Sequence, residues 1–319
     1  MDRRDALATI QKATIDTSAG GQLPAGTADA FIDKITENST FGSQINTEKV
    51  GHKTGTISKI GVGTRLIRGA VENSDDGYRA GADIDDVQYS VKDLRLPFEI
   101  TQQWAHRNIE GEKAKAKVIN AMTKQFGQDL DDLNINGDEG SGDAFLKLDD
   151  GLLDKCSTNA SGDIHRVDCS GITSGLPSDD IFSALVAAMP NKYLSDPDLV
   201  WLASPVNVMR YIDWLADRGT PVGDAALQGK AISPRGIPFF QGQGSDRPGM
   251  PYMPNTRIIL TSKKNLTRVI EWDIEKYSVY PDTDWELATR RKEGHIYFIS
   301  QDFIINEDDA VVDGHTLDA

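Results

Sequence analysis

Long hydrophobic runs are absent from this sequence of 319 residues. No stretch approaches the roughly 20 consecutive apolar residues that cross a bilayer, so the sequence predicts no membrane span. The residues after Met1 are charged, Asp2-Arg3-Arg4-Asp5, and the apolar core of a signal peptide does not follow them. We therefore expect a soluble protein that is made in the cytoplasm.

Basic residues are also in short supply. Lys and Arg number 34 against 49 Asp and Glu, which gives a formal net charge of −15. Nucleic-acid binding depends on clustered Lys and Arg side chains that contact phosphates. The charge balance therefore argues against such binding, yet it is compatible with a protein that surrounds nucleic acid without adhering to it. It also favours solubility at high protein concentration.

Cysteine is rare, with Cys156 and Cys169 the two in the chain. The turn-forming residues between them would allow a disulfide across a hairpin, whereas a cytoplasmic protein favours two free thiols. A structural zinc ion takes about four ligands, and His165 is the one histidine nearby, so zinc is disfavoured. Cys156 and His165 would also supply the nucleophile and base of a small hydrolase. The simpler interpretation of Cys156 is a small apolar thiol.

Catalytic motifs are absent as well. The sequence contains neither a Gly-x-Ser-x-Gly elbow nor a phosphate loop that ends in Gly-Lys-Ser or Gly-Lys-Thr. The run Asp138-Glu139-Gly140-Ser141-Gly142-Asp143 has oxygen ligands of the kind that calcium prefers, but its spacing fits a helix-ending turn better. We expect no enzyme activity, no catalytic residue, no metal and no cofactor.

The most informative segment, residues 50–100, predicts two β-strands joined by a polar tip. Its outgoing strand, tip and returning strand are expected at 56–67, 72–83 and 87–100. The apolar residues of the returning strand change parity near Lys92-Asp93, which predicts a bulge or bend where a ribbon enters a packed sheet. Pro97 confines this strand to an edge or an end. A two-stranded ribbon is marginal in water, so we expect it to lie on another surface, such as a second copy of the chain.

A one-sided apolar stripe predicts a long helix from about Ile109 to Leu133. Asp129, Asp131 and Asp132 lie near its C-terminal end, where a carboxylate opposes the helix dipole at a cost of about 0.3–1 kcal/mol each. These carboxylates are expected either to pair with a cation from a neighbouring segment or subunit, or to face solvent.

The second half of the chain alternates short strands and helices. Ser204-Pro205 predicts a helix start, with serine at the N-cap and proline at the first helical position. Short apolar runs predict strands at 199–202, 257–260, 268–272, 277–280 and 295–305. The length predicts about two domains.

Glycine, proline and aspartate residues recur in a distinctive order along the chain. The groups are Gly20-Gly21-Gln22-Leu23-Pro24 with Glu37-Asn38-Ser39, Asn136-Gly137-Asp138 with Asp150-Gly151-Leu152-Leu153, the stretch 208–221, Gly236-Ile237-Pro238 with Met250-Pro251, and Asn265-Leu266. In this order they resemble the major capsid proteins of tailed bacteriophages, which have the Hong Kong 97 fold. The resemblance covers nearly the whole chain. Glu139 departs from it, because the family usually has a second glycine there.

The resemblance implies an α+β, Hong Kong 97-like capsid fold with an N-arm, an extended β-hairpin E-loop, a P domain with a long spine helix, and a mixed α/β A domain. The expected boundaries are 1–41 for the N-arm, 42–96 for the E-loop, 97–148 and 275–319 for the P domain, and 149–274 for the A domain. It further implies a structural protein that self-assembles into pentamers and hexamers of an icosahedral shell. The shell would enclose double-stranded DNA in a virion that is assembled in the host cytoplasm.

The implied partners are further copies of the chain and a portal. Because 19 residues precede Gly20, a separate scaffolding protein is also expected, and the resemblance allows a decoration protein. The tip has no lysine, so a covalent cross-link from the E-loop is not expected. Neither specific DNA binding nor a membrane partner is expected. The alternative is an encapsulin-like compartment of the same fold that encloses an enzyme, and the small hydrolase is a more distant one.

Contacts between the ribbon of one subunit and the helix of its neighbour are predicted to combine apolar packing with charge pairs. Apolar burial would supply most of the affinity, at about 25 cal/mol per Å², and charges would set the register. The candidate residues for inter-subunit contacts are Arg65, Arg68, Arg79, Asp75, Asp76, Glu110, Glu112, Asp129, Asp132, Arg290 and Arg291.

Overall fold

A computed structural model of the chain describes most of the residues from 41 to 318. The described residues are 14–15, 41–61, 67, 69, 79, 81, 83–101, 112–218, 233–241, 248–279 and 292–318. Their strands form a five-stranded sheet, a four-stranded sheet and a two-stranded ribbon. No helix in these ranges has both the length and the apolar character that a membrane crossing requires.

The elements are numbered here along the described parts of the chain. The strands are β1 (Thr14–Ile15), β2 (Asn46–Lys49), β3 (Thr54–Gly61), β4 (Asp83–Ser90), β5 (Lys92–Thr101), β6 (His165–Asp168), β7 (Leu199–Ala203), β8 (Ile258–Ser262), β9 (Leu266–Val279), β10 (Lys292–Ile305) and β11 (Val312–His315). The α-helices are α1 (Phe41–Gln44), α2 (Glu112–Asn136), α3 (Leu152–Thr158), α4 (Asp179–Ala188) and α5 (Pro205–Asp217). Short 3₁₀ turns lie at Leu146–Leu148, Thr173–Gly175, Pro234–Gly236, Lys263–Asn265 and Asp308–Ala310.

The five-stranded sheet has the order β1-β5-β10-β9-β2. Its central strand β10 runs antiparallel to both neighbours, and the short strands β1 and β2 add to the two edges in parallel. In the described residues, β1 pairs with β5 at Glu99 and Ile100 alone. Pro97 pairs with Ile296 of β10 on one side of β5, and β1 pairs with β5 two residues further along on the other side, so β5 has neighbours on both sides and is not a complete edge strand.

The long helix α2 packs on one face of this sheet. Its buried side chains Phe126, Leu130 and Leu133 contact Leu94 and Phe98 of β5 in one apolar cluster with Ile299 of β10. The helix ends at Asn136, three residues beyond the predicted end, and residues 109–111 at the predicted start lie outside the described residues. The predicted helix and its one-sided apolar stripe are confirmed.

The four-stranded sheet has the order β6-β11-β8-β7. Every residue of β7 and β8 is buried, because α4 and α5 pack against the sheet through Phe182, Tyr211 and their apolar neighbours. The predicted start of α5 is confirmed: Ser204 Oγ accepts the backbone N–H of Asn207 at 3.1 Å, and Pro205 is the first helical residue.

A third apolar cluster joins the two sheets. It contains Phe41 of α1, Leu152 of α3, Phe303 of β10 and residues of β7 and β8. Phe240, which lies in the segment before residue 241, belongs to it as well. The rings of Phe41 and Phe240 lie edge to face, with their centroids 5.7 Å apart. The two sheets therefore form one continuous body through this shared cluster.

Two strand predictions differ from the structure in extent. The strands expected at 268–272 and 277–280 form one 14-residue strand, β9, because β10 pairs with it along its length. The C-terminal strand β11 joins the four-stranded sheet, between β6 and β8. The expected domain boundary between residues 274 and 275 thus falls inside β9. In addition, β11 lies beyond this boundary but pairs with strands that precede it. The domain division remains a prediction.

Candidate assembly surface

The predicted ribbon consists of β3 and β4, which pair in antiparallel register from Thr54 opposite Ser90 to Gly61 opposite Asp83. These two strands make up their own sheet. The predicted break between ribbon and body is also present, because Val91 separates β4 from β5. The polar tip lies almost entirely outside the described residues.

The surface on which the inner half of the ribbon lies belongs to its own chain, whereas the sequence suggested a second copy as one such surface. Tyr89 and Val91 are buried against Val269 of β9 and Ile304 of β10, and Val87 is partly buried against the same cluster. The sequence pattern could not reveal this contact, since it joins residues about 200 positions apart.

Polar contacts join the ribbon to the body both at its base and further out, at Lys59 opposite Asp85. Asp302 Oδ2 accepts the backbone N–H of Ser90 at 2.7 Å, and Lys59 Nζ donates to the carbonyl oxygen of Asn306 at 2.6 Å. Lys53 Nζ lies 2.5 Å from a carboxylate oxygen of Asp93. These contacts fix the position of the ribbon relative to the body.

The outer half of the ribbon carries apolar residues that its own chain does not cover. Ile84 is 69 % exposed, and Ile67, beyond β3, is 97 % exposed. Side chains alternate between the two faces of a strand, so Ile84 lies on the face opposite to Val87 and Tyr89. The ribbon thus has one face that packs on the body near its base and an apolar residue on the other face near its tip.

The candidate charged residues are only partly described. Asp129 Oδ1 accepts the Gln125 side-chain amide at 2.7 Å, and Asp132 Oδ1 accepts that of Asn136 at 2.6 Å, both within α2. Glu112 is the first residue of α2, and Arg79 is exposed. The remaining candidates lie outside the described residues: Arg65, Arg68, Asp75, Asp76, Glu110, Arg290 and Arg291. Pairing between subunits stays a prediction for the whole set.

Asp131 is buried, so it does not face solvent, which was one of the two expectations for the acidic end of α2. Its buried carboxylate accepts the backbone N–H groups of Phe41 at 3.1 Å and Gly42 at 3.0 Å, at the start of α1. These N–H groups belong to a helix N-terminus and carry partial positive charge, which favours the carboxylate. Asp131 thereby holds the start of α1 against α2.

Two further carboxylates that the sequence did not single out are buried, and one of them, Asp302, contacts the ribbon base through Ser90. Asp149 precedes α3 and Asp302 lies in β10, and they are 5 % and 4 % exposed. Burial, and then the charge of Asp302, raise the pKa of Asp149 from 3.8 to about 7. Burial also raises the pKa of Asp302, while Lys155 and the Ser90 N–H act in the opposite direction.

The two cysteines are free and buried, which confirms the prediction of thiols over a disulfide. Cys156 lies in α3 and not in the expected hairpin. Burial raises its pKa well above its usual range, and His165 Nε2 lies 3.0 Å from a carboxylate oxygen of Asp309. This environment is that of a packed thiol and does not favour an activated nucleophile. Within the described ranges, no group of three or more His, Cys, Asp or Glu could hold a metal ion.

The acidic run after α2 forms a helix-ending turn, as its spacing predicts. Asp138 Oδ1 accepts the backbone N–H of Gly140 at 2.7 Å, and Asp143 Oδ1 accepts that of Phe145 at 2.7 Å. Asp150 Oδ1 accepts the N–H of Glu139, also at 2.7 Å. The carboxylates therefore bind backbone groups of the turn itself.

Comparisons with known proteins agree with this architecture. The sequence is 28 % identical over 282 residues to the "Putative prophage capsid protein YqbE" of Bacillus subtilis (strain 168), which covers 84 % of this chain and 88 % of that protein. No family model matches the sequence.

Two solved structures illustrate the likeness of the fold. One is the satellite phage P4 procapsid including size determination (Sid) protein, with a TM-score of 0.56, 17 % identity, and coverage of 88 % of this chain and 96 % of that one. The other is the holo-SrpI encapsulin complex from Synechococcus elongatus PCC 7942, with a TM-score of 0.58, 11 % identity and 96 % coverage of both chains. The chain has the α+β, Hong Kong 97-like fold of phage capsid subunits.

Proposed function

We propose that this protein is the major capsid protein of a tailed bacteriophage or prophage, a structural subunit of the closed shell of the virion. The observation that carries the proposal is the capsid fold, which extends over nearly the whole chain. The similarity to a protein named as a prophage capsid protein, along 84 % of this chain, supports it independently of the fold. The role is structural and needs no catalytic group.

In the proposed shell, the ribbon is the E-loop and lies over a neighbouring subunit. Ile84 and Ile67 support this assignment, because large apolar side chains that are mostly exposed in one chain become stable when a second copy covers them. The hydrogen bond from the Ser90 N–H to Asp302 also supports the assignment, because it fixes the direction in which the outer half of the ribbon extends. The neighbour's α2 and five-stranded sheet are the proposed docking site.

Charge pairs set the register of this contact in the proposal. Arg68 and Arg79 belong to the ribbon side, and Asp129 and Asp132 to the helix side. The helix carboxylates each accept one hydrogen bond from their own helix, but an ionised carboxylate has about four acceptor sites. They can therefore accept a further bond from an arginine of the next subunit.

The proposed assembly consists of pentamers and hexamers that close an icosahedral shell around double-stranded DNA. A separate scaffolding protein would guide closure, a portal would occupy one vertex, and a decoration protein is an optional addition to the outer surface. The net charge of −15 suits a wall that encloses DNA without adhering to it, because phosphate groups and acidic side chains repel each other.

An encapsulin-like compartment is the second candidate. The likeness to the SrpI encapsulin, with a TM-score of 0.58 over 96 % of both chains, favours it specifically. The two candidates differ in contents and not in wall structure, so the contents decide between them. Nuclease-protected DNA inside purified particles would support the capsid, and a co-purifying enzyme without DNA would support the compartment.

Size-exclusion chromatography and negative-stain electron microscopy of the purified protein test assembly itself. The protein should be produced alone and together with the proposed scaffolding protein. We expect closed particles tens of nanometres across, since shells of this fold require many copies. A chain that stays monomeric or dimeric under both conditions would contradict both candidates.

Charge reversal tests the proposed register. Arg68→Glu and Arg79→Glu together should reduce the yield of particles at low salt and shift the salt dependence of assembly. Arg210→Glu serves as the matched control, because Arg210 lies on α5, far along the chain from the ribbon, and donates to the backbone carbonyl of Asp318. Unchanged assembly of the double variant at all salt concentrations would contradict the charge pairs while leaving the shell proposal intact.

A further inference from the structure

Asn136 and Gly137 form the sole Asn-Gly dipeptide of the sequence, and they lie where the long helix ends. Asn136 is the last residue of α2. In an unstructured chain an Asn-Gly dipeptide is prone to deamidation, because glycine has no side chain that hinders the approach of its backbone nitrogen to the asparagine side chain. The dipeptide is therefore a candidate site of spontaneous chemical modification.

Deamidation at this dipeptide has two steps. The Gly137 nitrogen loses its proton to a base in the solvent and bonds to Cγ of Asn136; the Cγ–Nδ2 bond breaks, and the departing nitrogen takes up a proton and leaves as ammonia. Water then opens the cyclic imide. Cleavage between the Gly137 nitrogen and Cγ gives aspartate. Cleavage between that nitrogen and the Asn136 carbonyl carbon gives isoaspartate, whose main chain runs through the side chain and is one methylene longer.

In the folded subunit, hydrogen bonds hold both reacting groups. The Gly137 N–H donates to the carbonyl oxygen of Leu133 at 2.8 Å. Asn136 Nδ2 donates to Asp132 Oδ1 at 2.6 Å and to the carbonyl oxygen of Tyr252 at 2.8 Å. Gly137 is also buried, which shields its nitrogen from a base in the solvent. Ring closure would require all three hydrogen bonds to break, so the fold opposes the reaction.

The longer main chain of isoaspartate does not fit at this point of the fold. Gly137 lies so close to the loop before α3 that a Cβ atom there would be 2.3 Å from the carbonyl oxygen of Asp149. The Gly137 carbonyl oxygen also accepts the N–H of Gly151 at 2.9 Å. An added methylene immediately before Gly137 would displace it from both neighbours.

Aspartate, the other product, also opposes the native packing. The two partners of the Asn136 amide, the Asp132 carboxylate and the Tyr252 carbonyl, are both acceptors. An ionised aspartate has no hydrogen to donate to them, and it would place a second negative charge beside Asp132. Neither product of the reaction therefore replaces the asparagine.

We propose that Asn136 is a deamidation site that the folded subunit suppresses, and that a chain modified there does not return to the native fold. The fold protects the residue, and the modification removes chains that stay unfolded from those that can still fold. The inference concerns a single subunit and does not depend on the proposed function.

Peptide mapping by mass spectrometry, with isoaspartyl methyltransferase to label isoaspartate, tests the first half of the proposal. The full-length protein is incubated at mildly alkaline pH, with one sample native and the other in guanidinium chloride. We expect conversion of Asn136 to be at least about fiftyfold slower in the native sample, because the folded state must open before the ring can close. Rates within about twofold of each other would overturn the proposal.

Refolding tests the second half. The partly modified sample is diluted out of the denaturant, and brief protease digestion removes the chains that have not folded. We expect isoaspartate and aspartate at residue 136 to be depleted at least about tenfold in the surviving protein. Survival of modified chains in proportion to their share before dilution would overturn the proposal. Because the comparison is made within one sample, modification elsewhere in the chain does not affect it.

A matched pair of variants completes the test. Asn136→Gln keeps a side-chain amide but closes the larger imide ring slowly, so its refolding yield should fall much less with time in denaturant than that of the wild type. Asn191→Gln makes the same change at an exposed position and keeps the Asn-Gly dipeptide, so its yield should fall as in the wild type. An equal fall in both variants would contradict the proposal. If Asn136→Gln does not fold, the depletion measured in the wild type decides.

Discussion

The Asp131 carboxylate in α2 accepts the backbone N–H of Phe41, 90 residues earlier in the chain, at 3.1 Å. The same carboxylate accepts the N–H of Gly42 at 3.0 Å. A side chain that opposes the dipole of its own helix is thus stabilised by the N-terminus of another helix. The contact fixes the position of α1, which immediately precedes β2 and the ribbon.

Asp131→Ala should lower the free energy of unfolding by about 2–4 kcal/mol, because it leaves two buried N–H groups without their charged acceptor. Chemical denaturation measures this change. Asp129→Ala is the control from the same helix turn; its partner Gln125 is exposed, so the expected loss is within about 0.5 kcal/mol. Equal losses in the two variants would show that the contact with α1 contributes nothing.

Asp149→Asn should stabilise the protein at alkaline pH. The folded protein holds the Asp149 proton up to a pKa of about 7, whereas the unfolded chain releases it near 3.8. Between these values the folded state binds more protons than the unfolded state, so wild-type stability falls as the pH rises. The variant lacks this loss. It should exceed the wild type by roughly 2–4 kcal/mol at pH 8 and by much less near pH 4.

Denaturation of wild type and variant at both pH values measures the difference. The diagnostic result is that the stability gap widens with pH. A constant gap would mean that Asp149 ionises as an ordinary carboxyl group, and a gap that narrows with rising pH would reverse the assigned direction of the pKa shift.

Gly137→Ala should be strongly destabilising. A Cβ atom at Gly137 would lie 2.3 Å from the carbonyl oxygen of Asp149 and 2.6 Å from that of Leu133. Both atoms belong to the backbone, so relief requires the loop before α3 to move, at a cost of about 3 kcal/mol or more. Gly142→Ala, five residues later in the same turn, would meet nothing within 4 Å. Its melting temperature should equal that of the wild type, and an equally small effect of Gly137→Ala would contradict the close approach.

This approach also gives a physical reason for the glycines that carried the family resemblance. The N–H of Gly151 donates to the carbonyl oxygen of Gly137 at 2.9 Å, and a Cβ atom at Gly151 would lie 2.8 Å from the Gly137 nitrogen. The end of the long helix and the start of α3 therefore cross backbone to backbone. Only glycine at both positions allows that crossing. The sequence pattern contains these glycines, and the structure supplies the reason for them.

Local patterns sufficed for the long helix and the ribbon but failed for the residues that these elements contact. The apolar period of α2, the alternation in the ribbon and the parity change near Lys92 are short-range signals, and each predicted its element. Asp131, Asp149 and Asp302 act through residues that are distant in sequence, so no spacing rule identifies their roles. The same limit explains why β9 was predicted as two strands: its continuity depends on pairing with β10.

Both thiols should react slowly with a disulfide reagent such as dithionitrobenzoate in the native protein. Cys156 and Cys169 are buried, and burial raises the pKa of Cys169 to about 11, so little thiolate forms at pH 8. Both should react fully in guanidinium chloride. Cys169→Ser leaves Cys156 as the single thiol and assigns the rates. Rapid labelling of native Cys156 would instead indicate an activated nucleophile and favour the hydrolase.

Ile84→Asp should block assembly without unfolding the subunit. Ile84 is 69 % exposed in the single chain, so the change should alter the free energy of unfolding by less than about 0.5 kcal/mol. In the proposed shell the same side chain is covered by a neighbour, where a buried, unpaired carboxylate costs several kcal/mol. Particles seen by negative-stain microscopy should therefore be lost or appear only at much higher protein concentration.

Gln88→Asp is the matched control for this prediction. Gln88 is exposed on the same face of β4 as Ile84, four residues nearer the base, and the substitution adds the same charge. Because a polar side chain is replaced, no apolar contact is lost, and the variant should assemble at nearly the wild-type concentration. If both variants assembled like the wild type, the outer face of the ribbon would not be part of the subunit interface, although the shell itself would stand.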